Sequence, residues 1–229
     1  VRKGAKLYKS TYQVIGPQRT IGLMWRKALQ LGLLHAAVAL LTLPVDDNLN
    51  RVMNVELGLS LTLVTALVSL PYLAAPLQVG FGAWADRHPI AGLRRTPYVI
   101  IGILVCAAGV ALLPVALLQV GGSAGIGLAV VGFVLWGLGY NVSTVAYFSM
   151  ASELFSERSR SRAVAVMYFV MLLSVIAGGI VFSRLVADIP DTVEALAGPL
   201  TNAIWQVVAV ALGLGLLGLI GLEPRTTPP

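Results

Sequence analysis

Six long apolar stretches limit what this chain can fold into more than any other feature. They run from about Ala28 to Val45 (continuing amphipathically toward Met53), Leu57 to Ala85, Pro97 to Val120, Ala124 to Ser152, Ala163 to Ala187 and Pro199 to Leu222. A helix needs about 20 apolar residues to cross hydrocarbon. Polar side chains are too few to cover a soluble domain: 57% of the 229 residues are hydrophobic and 11% charged, against roughly 25% charged in soluble proteins. The same figures exclude disorder. Aromatics at 7%, with no repeating alternation, argue against a membrane β-barrel. The expected fold is an all-α membrane protein of six transmembrane helices.

Orientation follows from the basic residues, which gather on the cytoplasmic side of such proteins. Fourteen of the sixteen Lys and Arg fall on one side of the stretches, leaving Arg51 and Arg184 on the other. Six of the ten acids (Asp46, Asp47, Glu56, Asp188, Asp191 and Glu194) share that other side. Both termini of the multi-pass bundle are therefore expected in the cytoplasm. Residues 1–27 read as a basic juxtamembrane arm near anionic lipid, 28–222 as the bundle and 223–229 as the start of a cytoplasmic linker. The arm lacks the apolar core and cleavage site of a secretory signal. A chain starting at Val1 and closing on Glu223-Pro224-Arg225-Thr226-Thr227-Pro228-Pro229 is expected to be part of a longer protein. Positive-inside topology accounts for the net charge of +6, so no nucleic-acid partner is expected. Cys106 stands alone and reads as a small buried apolar residue.

Small residues in the last three stretches, among them Gly132, Gly137, Gly139, Gly178 and Gly179, suit close helix contact in lipid. Gly213, Gly215 and Gly218 spell G-x-G-x-x-G, but a dinucleotide loop needs a preceding strand, so they too read as packing. Pro71 and Pro76 interrupt the second stretch and Pro114 the third. Such interruptions either line a pathway or fit a helix to its neighbours.

Ionisable groups inside spans are costly and default to functional readings. His35 lies within the first stretch. It is either hydrogen-bonded within the bundle, or facing a water-filled cavity, or the ligand of a metal such as the magnesium of a chlorin. Gly32, Ala36 and Ala39 would admit a flat ring, whereas Leu31 would crowd it. On a continuing helix, Asn50 and Asn54 share a face, and Arg51 and Glu56 stand about a turn and a half apart. They line the mouth of a cavity or form a solvated helix end. Gly82, Asp86, Arg87, Arg94 and Arg95 cluster in the short loop after the second stretch, where Asp86 is placed to pair with an arginine.

That loop resembles the G-x-x-x-D-R-x-G-R-R signature of the major facilitator superfamily, with Pro89-Ile90-Ala91 as extra residues. Three blocks resemble its bacteriochlorophyll-delivery branch, the PucC/LhaA-type light-harvesting assembly proteins. Asn50-Arg51-Val52-Met53 with Val55-Glu56-Leu57-Gly58 looks like N-R-V-M-x-V-E-L-G. Gly92 to Tyr98 looks like G-W-R-R-x-P-Y, with Leu93 in the Trp place. Glu153-Leu154 with Glu157, Arg160, Arg162 and Val164 looks like D-L-x-P-E-x-x-R-x-R-x-V, with Glu153 for Asp and Ser156 for Pro. The resemblance implies the N-terminal half of a twelve-span facilitator, built as a three-plus-three inverted repeat, with a second six-span half as partner. It implies a role in inserting or pigmenting light-harvesting complexes, with bacteriochlorophyll or a carotenoid as cofactor and antenna polypeptides or a reaction-centre complex as partners. Asp86, Arg87 and Glu153 would form the gate against the second half. His35, or groups near Asn141 or Asn202, would contact pigment. The alternatives are a secondary transporter of a small solute and a structural subunit beside a light-harvesting–reaction-centre complex. No catalytic constellation and no Cys/His metal spacing is visible, so an enzyme is not expected.

Overall fold

A computed structural model describes residues 17–73, 76–90, 92–187 and 192–223. It contains α1 (Pro17–Leu43), α2 (Leu61–Leu73), α3 (Leu77–Arg87), α4 (Thr96–Pro114), α5 (Gly122–Leu154), α6 (Glu157–Val186) and α7 (Val193–Leu219). π-helical turns at Pro44–Leu49 and Val52–Glu56 prolong α1, and a third at Val115–Val120 prolongs α4. Among the described residues the regular structure is helical throughout, apart from one antiparallel bridge between Ile90 and Leu93. Gly92 closes that turn at φ 75, a conformation that costs glycine little.

Among the described residues, five segments are long and apolar enough to cross a membrane: Gly22–Asp46, Thr96–Val120, Gly122–Leu154, Glu157–Val186 and Val193–Leu219. The second expected stretch differs, because it is two helices rather than one. Pro76 has no N–H to give the carbonyl of Tyr72, so the ladder stops, and α2 is a shorter apolar helix of 13 residues. Three starts also lie well before those the apolar pattern suggests. Helix α7 opens at Val193 behind a Thr192 cap, ahead of the expected Pro199. Proline at the first helical position opens α1 at Pro17, and α6 begins at Glu157, whose charge suits a helix N-terminus. Residues 1–16 of the basic arm and 224–229 of the linker lie outside the described residues.

The most extensive helix pair is α4 with α5. Gly102, Gly109 and Ala116 recur at seven-residue spacing on one chain segment, and Gly125, Gly132 and Gly139 on the other. The two rows run antiparallel and face each other. A methyl group on Gly102 would stand 2.5 Å from the Ser143 nitrogen, and one on Gly109 or Gly139 would overlap the backbone of Trp136 or Cys106. Small residues on both sides let the two backbones touch, which is how helices gain contact in lipid. Helix α1 packs chiefly on α6 and α7. Gly32 faces Val170 there, and Gly218 faces the Gln30 carbonyl and Leu34. Gly213, Gly215 and Gly218 all lie inside α7, where the latter two are contact points. By contrast, α6 turns Phe169, Leu172, Ile176 and Ile180 outward.

Candidate functional site

At the basic end of the bundle, α4 starts without a capping side chain of its own, although the first N–H groups of any helix need acceptors. Glu223, just beyond α7, supplies them. Its carboxylate accepts from the backbone N–H of Arg94 at 2.7 Å, of Arg95 at 3.2 Å and of Thr96 at 2.8 Å. Beside it, the Arg95 guanidinium donates through Nε at 3.2 Å and Nη2 at 2.9 Å to Glu153 Oε1, in the last turn of α5. The Arg95 side chain is 6% exposed and that of Glu153 41%. Arg160 donates to the Ser152 carbonyl at 3.0 Å, capping the end of α5. Gln30 of α1 donates to the Ile220 carbonyl at 2.7 Å, just past α7. Five helices, α1 and α4 to α7, are thereby tied at one end.

Of the loop residues singled out from sequence, the structure brings Arg95 together with Glu153. Gly82 lets α3 approach α5, since a methyl there would stand 3.2 Å from Val145. Arg87 is exposed at the end of α3, Arg94 is partly buried, and Arg162 is exposed on α6. The side chain of Asp86 lies outside the described ones. Sequence reasoning missed Glu223 as a member of this node. The available signal was an uncapped third apolar stretch and an acid one step past the sixth.

At the opposite end, Arg51 Nη2 and Glu56 Oε1 pair at 2.9 Å. Residues five apart diverge on an α-helix, but the i→i+5 bonding of the Val52–Glu56 π turn brings them to one side. The Glu56 side chain is 2% exposed and that of Arg51 48%. Asn50, partly buried, joins the two π turns, and the Asn54 amide donates to the Leu59 carbonyl at 3.2 Å.

Within the hydrocarbon, His35 is buried among aromatic rings from two other helices. Tyr147 and Phe148 of α5 lie 5.4 and 5.5 Å away, and Tyr168 of α6 stands edge-on at 4.7 Å. His35 Nδ1 is buried with no hydrogen-bond partner. Asn141 has a different employment. Its Nδ2 donates to the carbonyls of Pro71 at 2.9 Å and Gly137 at 2.7 Å, and its Oδ1 accepts from Gln78. It thus bridges the break between α2 and α3, and Gly137 makes room for Pro71. Asn202 is exposed on α7. No hydrogen bond or ring contact among the described residues joins these three. A feature unread in the sequence is the outer face of α2, where Thr62, Thr65 and Ser69 line a shallow open groove and Tyr72 continues the same helical spacing. Among the described residues, no three His, Cys, Asp or Glu are grouped to hold a metal ion.

The sequence pattern of the PUCC protein family matches residues 48–227. That interval holds the Arg51–Glu56 and Arg95–Glu153 pairs, the Glu223 cap and the loop arginines Arg87, Arg94 and Arg95. The chain belongs to the PUCC protein family. Among its curated relatives, protein PucC of Cereibacter sphaeroides is 31% identical over 210 residues, which cover 87% of this chain and 44% of that protein. Protein PucC of Rhodobacter capsulatus is 31% identical over 172 residues, or 71% of this chain and 37% of the relative. The bacteriochlorophyll synthase 44.5 kDa chain of the same organism is 30% identical over 218 residues, or 90% and 48%. The PUCC-family chain thus spans less than half the length of the curated relatives it matches, and it has the five long apolar helices of a multi-pass membrane protein.

Proposed function

We propose that this chain forms the N-terminal, six-span half of a non-enzymatic factor that handles bacteriochlorophyll while light-harvesting complexes are assembled or pigmented. The observation that carries the reading is the family match over residues 48–227. Counting α2 and α3 as one broken span supports a three-plus-three inverted repeat. Exchanging spans one and four, two and five, and three and six turns the α1–α7 contact into α5–α4 and the α1–α6 contact into α5–α2. It leaves the α4–α7 and α1–α5 contacts as themselves. The arginines at one end support cytoplasmic termini in a bacterial inner membrane.

A chlorin's magnesium brings four ring nitrogens and takes an axial donor from protein. His35 suits such a ligand through its orphaned Nδ1, since buried polar groups are ordinarily satisfied. Tyr147, Phe148 and Tyr168 supply flat apolar surface beside it. Asn141 is engaged by α2 and α3 and contributes structure rather than an axial contact. Asn202 and the outward apolar face of α6 offer surface to antenna helices, a reaction-centre complex, a carotenoid or lipid. In this reading the Arg95–Glu153–Glu223 node is the fixed side of a gate, and Asp86 and Arg87 meet the second half. The test is to purify the full-length protein in mild detergent and record its near-infrared spectrum, wild type against His35→Ala. Bound chlorin in the wild type supports the reading, and its absence refutes pigment handling. Co-purification in equal amounts with mature complexes would instead mark a permanent subunit.

The hydroxyl-lined face of α2 favours a second reading, transport of a small polar solute, because hydroxyls turned to hydrocarbon are costly. Uptake into proteoliposomes without any photosynthetic partner would favour it.

A further inference from the structure

The chain holds two histidines, and only one presents a nitrogen outward. His88 follows α3 at the basic end of the bundle. Its Nδ1 lies 3.0 Å from the Trp84 carbonyl. A carbonyl only accepts, so Nδ1 carries the proton and the lone pair of the neutral ring sits on Nε2. No described residue takes that Nε2, and His88 is exposed. The ring is also held from its face and its backbone. The Trp84 indole stacks on it at 4.9 Å and 28°. Tyr98, buried, stands edge-on to Trp84 at 5.6 Å and donates its hydroxyl to the His88 carbonyl at 2.6 Å. An imidazole whose other nitrogen is tied to a carbonyl is how proteins orient a metal-ligating histidine.

A bare metal ion would need several protein donors, commonly four for zinc and six or more for calcium. His88 has no such company among the described residues. The metal it suits is one that arrives with its other ligands already in place and one axial position open. A metal held in a flat macrocycle meets that requirement. Trp84, stacked on the imidazole, and Ile90, two residues along the chain, are 52% and 43% exposed and offer apolar surface at this end of the bundle. His35 is enclosed by three aromatic rings and would serve pigment already inside the bundle, whereas His88 would take pigment added from outside. His35 also lies before the residues that match the family pattern, whereas His88 lies within them.

The geometry points to His88 as the axial ligand of a metallo-chlorin, docked against Trp84 and Ile90 where the bundle meets the cytoplasmic surface. The inference rests on the pigment-handling reading and assigns a site within it. The experiment titrates the full-length protein in detergent with bacteriochlorophyll a and, separately, with its magnesium-free form, which takes no axial ligand. Wild type should bind the magnesium form at least tenfold more tightly, the lower end of what losing even an outer-sphere partner costs a metal site. His88→Ala should remove that preference, His35→Ala should keep it, and added imidazole should restore it to His88→Gly. The magnesium coordination number, read from the visible absorption band, should fall in His88→Ala. Equal binding of both forms by wild type, or a preference lost in His35→Ala and kept in His88→Ala, overturns the assignment while leaving pigment handling intact. If wild type binds neither form, pigment handling itself fails and this site with it.

Discussion

Replacing Glu223 by alanine removes the acceptor for three successive N–H groups at the start of α4. Loss of a helix N-cap costs about 0.5–2 kcal/mol, and loss of an anion from a helix N-terminus adds about 0.3–1 kcal/mol. Hydrogen bonds to a charged group are worth more, about 1.5–3 kcal/mol each, but Glu223 is only partly buried, so water replaces part of what is lost. The expected destabilisation is therefore about 2 kcal/mol. At about 2–4 °C per kcal/mol for a chain of this size, Tm in detergent should fall by about 4–8 °C. Glu223→Gln keeps a neutral acceptor and should lose roughly half as much. Hydrogen exchange of the Arg94, Arg95 and Thr96 amides should accelerate in the alanine variant and less in the glutamine variant. An alanine variant that melts within about 1 °C of wild type, with those amides equally protected, would refute the cap.

Glu153→Ala removes two hydrogen bonds of the buried Arg95 guanidinium. Breaking a fully buried pair costs about 3–5 kcal/mol, and the exposure of Glu153 reduces this to about 2 kcal/mol. Arg95→Met should be milder in the same thermal assay, since it removes the buried charge and leaves Glu153, whose side chain is 41% exposed, to water. Asn141→Leu leaves Pro71 and Gln78 without their partner, at about 1–3 kcal/mol for each buried group, and cysteines placed either side of the α2–α3 break should cross-link less uniformly. Gly139→Ala forces α4 and α5 apart and should cost about 1–3 kcal/mol. Gly127→Ala meets nothing within 4 Å and should be neutral or gain up to about 1 kcal/mol by helix propensity. The two glycine variants can be compared by folded yield and Tm.

The long helices were legible because hydrocarbon fixes both the length and the apolarity of whatever crosses it. Of the two prolines expected to interrupt the second stretch, Pro76 marks the break into two helices, whereas α2 runs on through Pro71 to Leu73. Arg51 and Glu56 looked too far apart because an α-helical period was assumed for a segment that winds as a π turn. Glu223 was read only as linker, since its partners lie 127 to 129 residues earlier and no local pattern links a cap to a helix so distant. The rings around His35 come from α5 and α6, and only three-dimensional packing gathers them. His88 was passed over because a loop histidine shows its orientation only once the carbonyl of Trp84 is in view.

The tie between Glu223 and α4 also bears on how the chain is made. Helices α4 and α5 are neighbours in sequence, joined through Gly121 and Gly122, so their glycine seam can close as soon as both have left the ribosome. Contacts between near neighbours form fastest. The cap on α4 has to wait, because Glu223 is the last of the described residues to be synthesised, and the Gln30–Ile220 bond closes just before it across 190 residues. A nascent chain therefore carries an unfinished α4 terminus until its sixth apolar stretch has been threaded. The open amide groups are a chemical mark of incompleteness that translation itself erases.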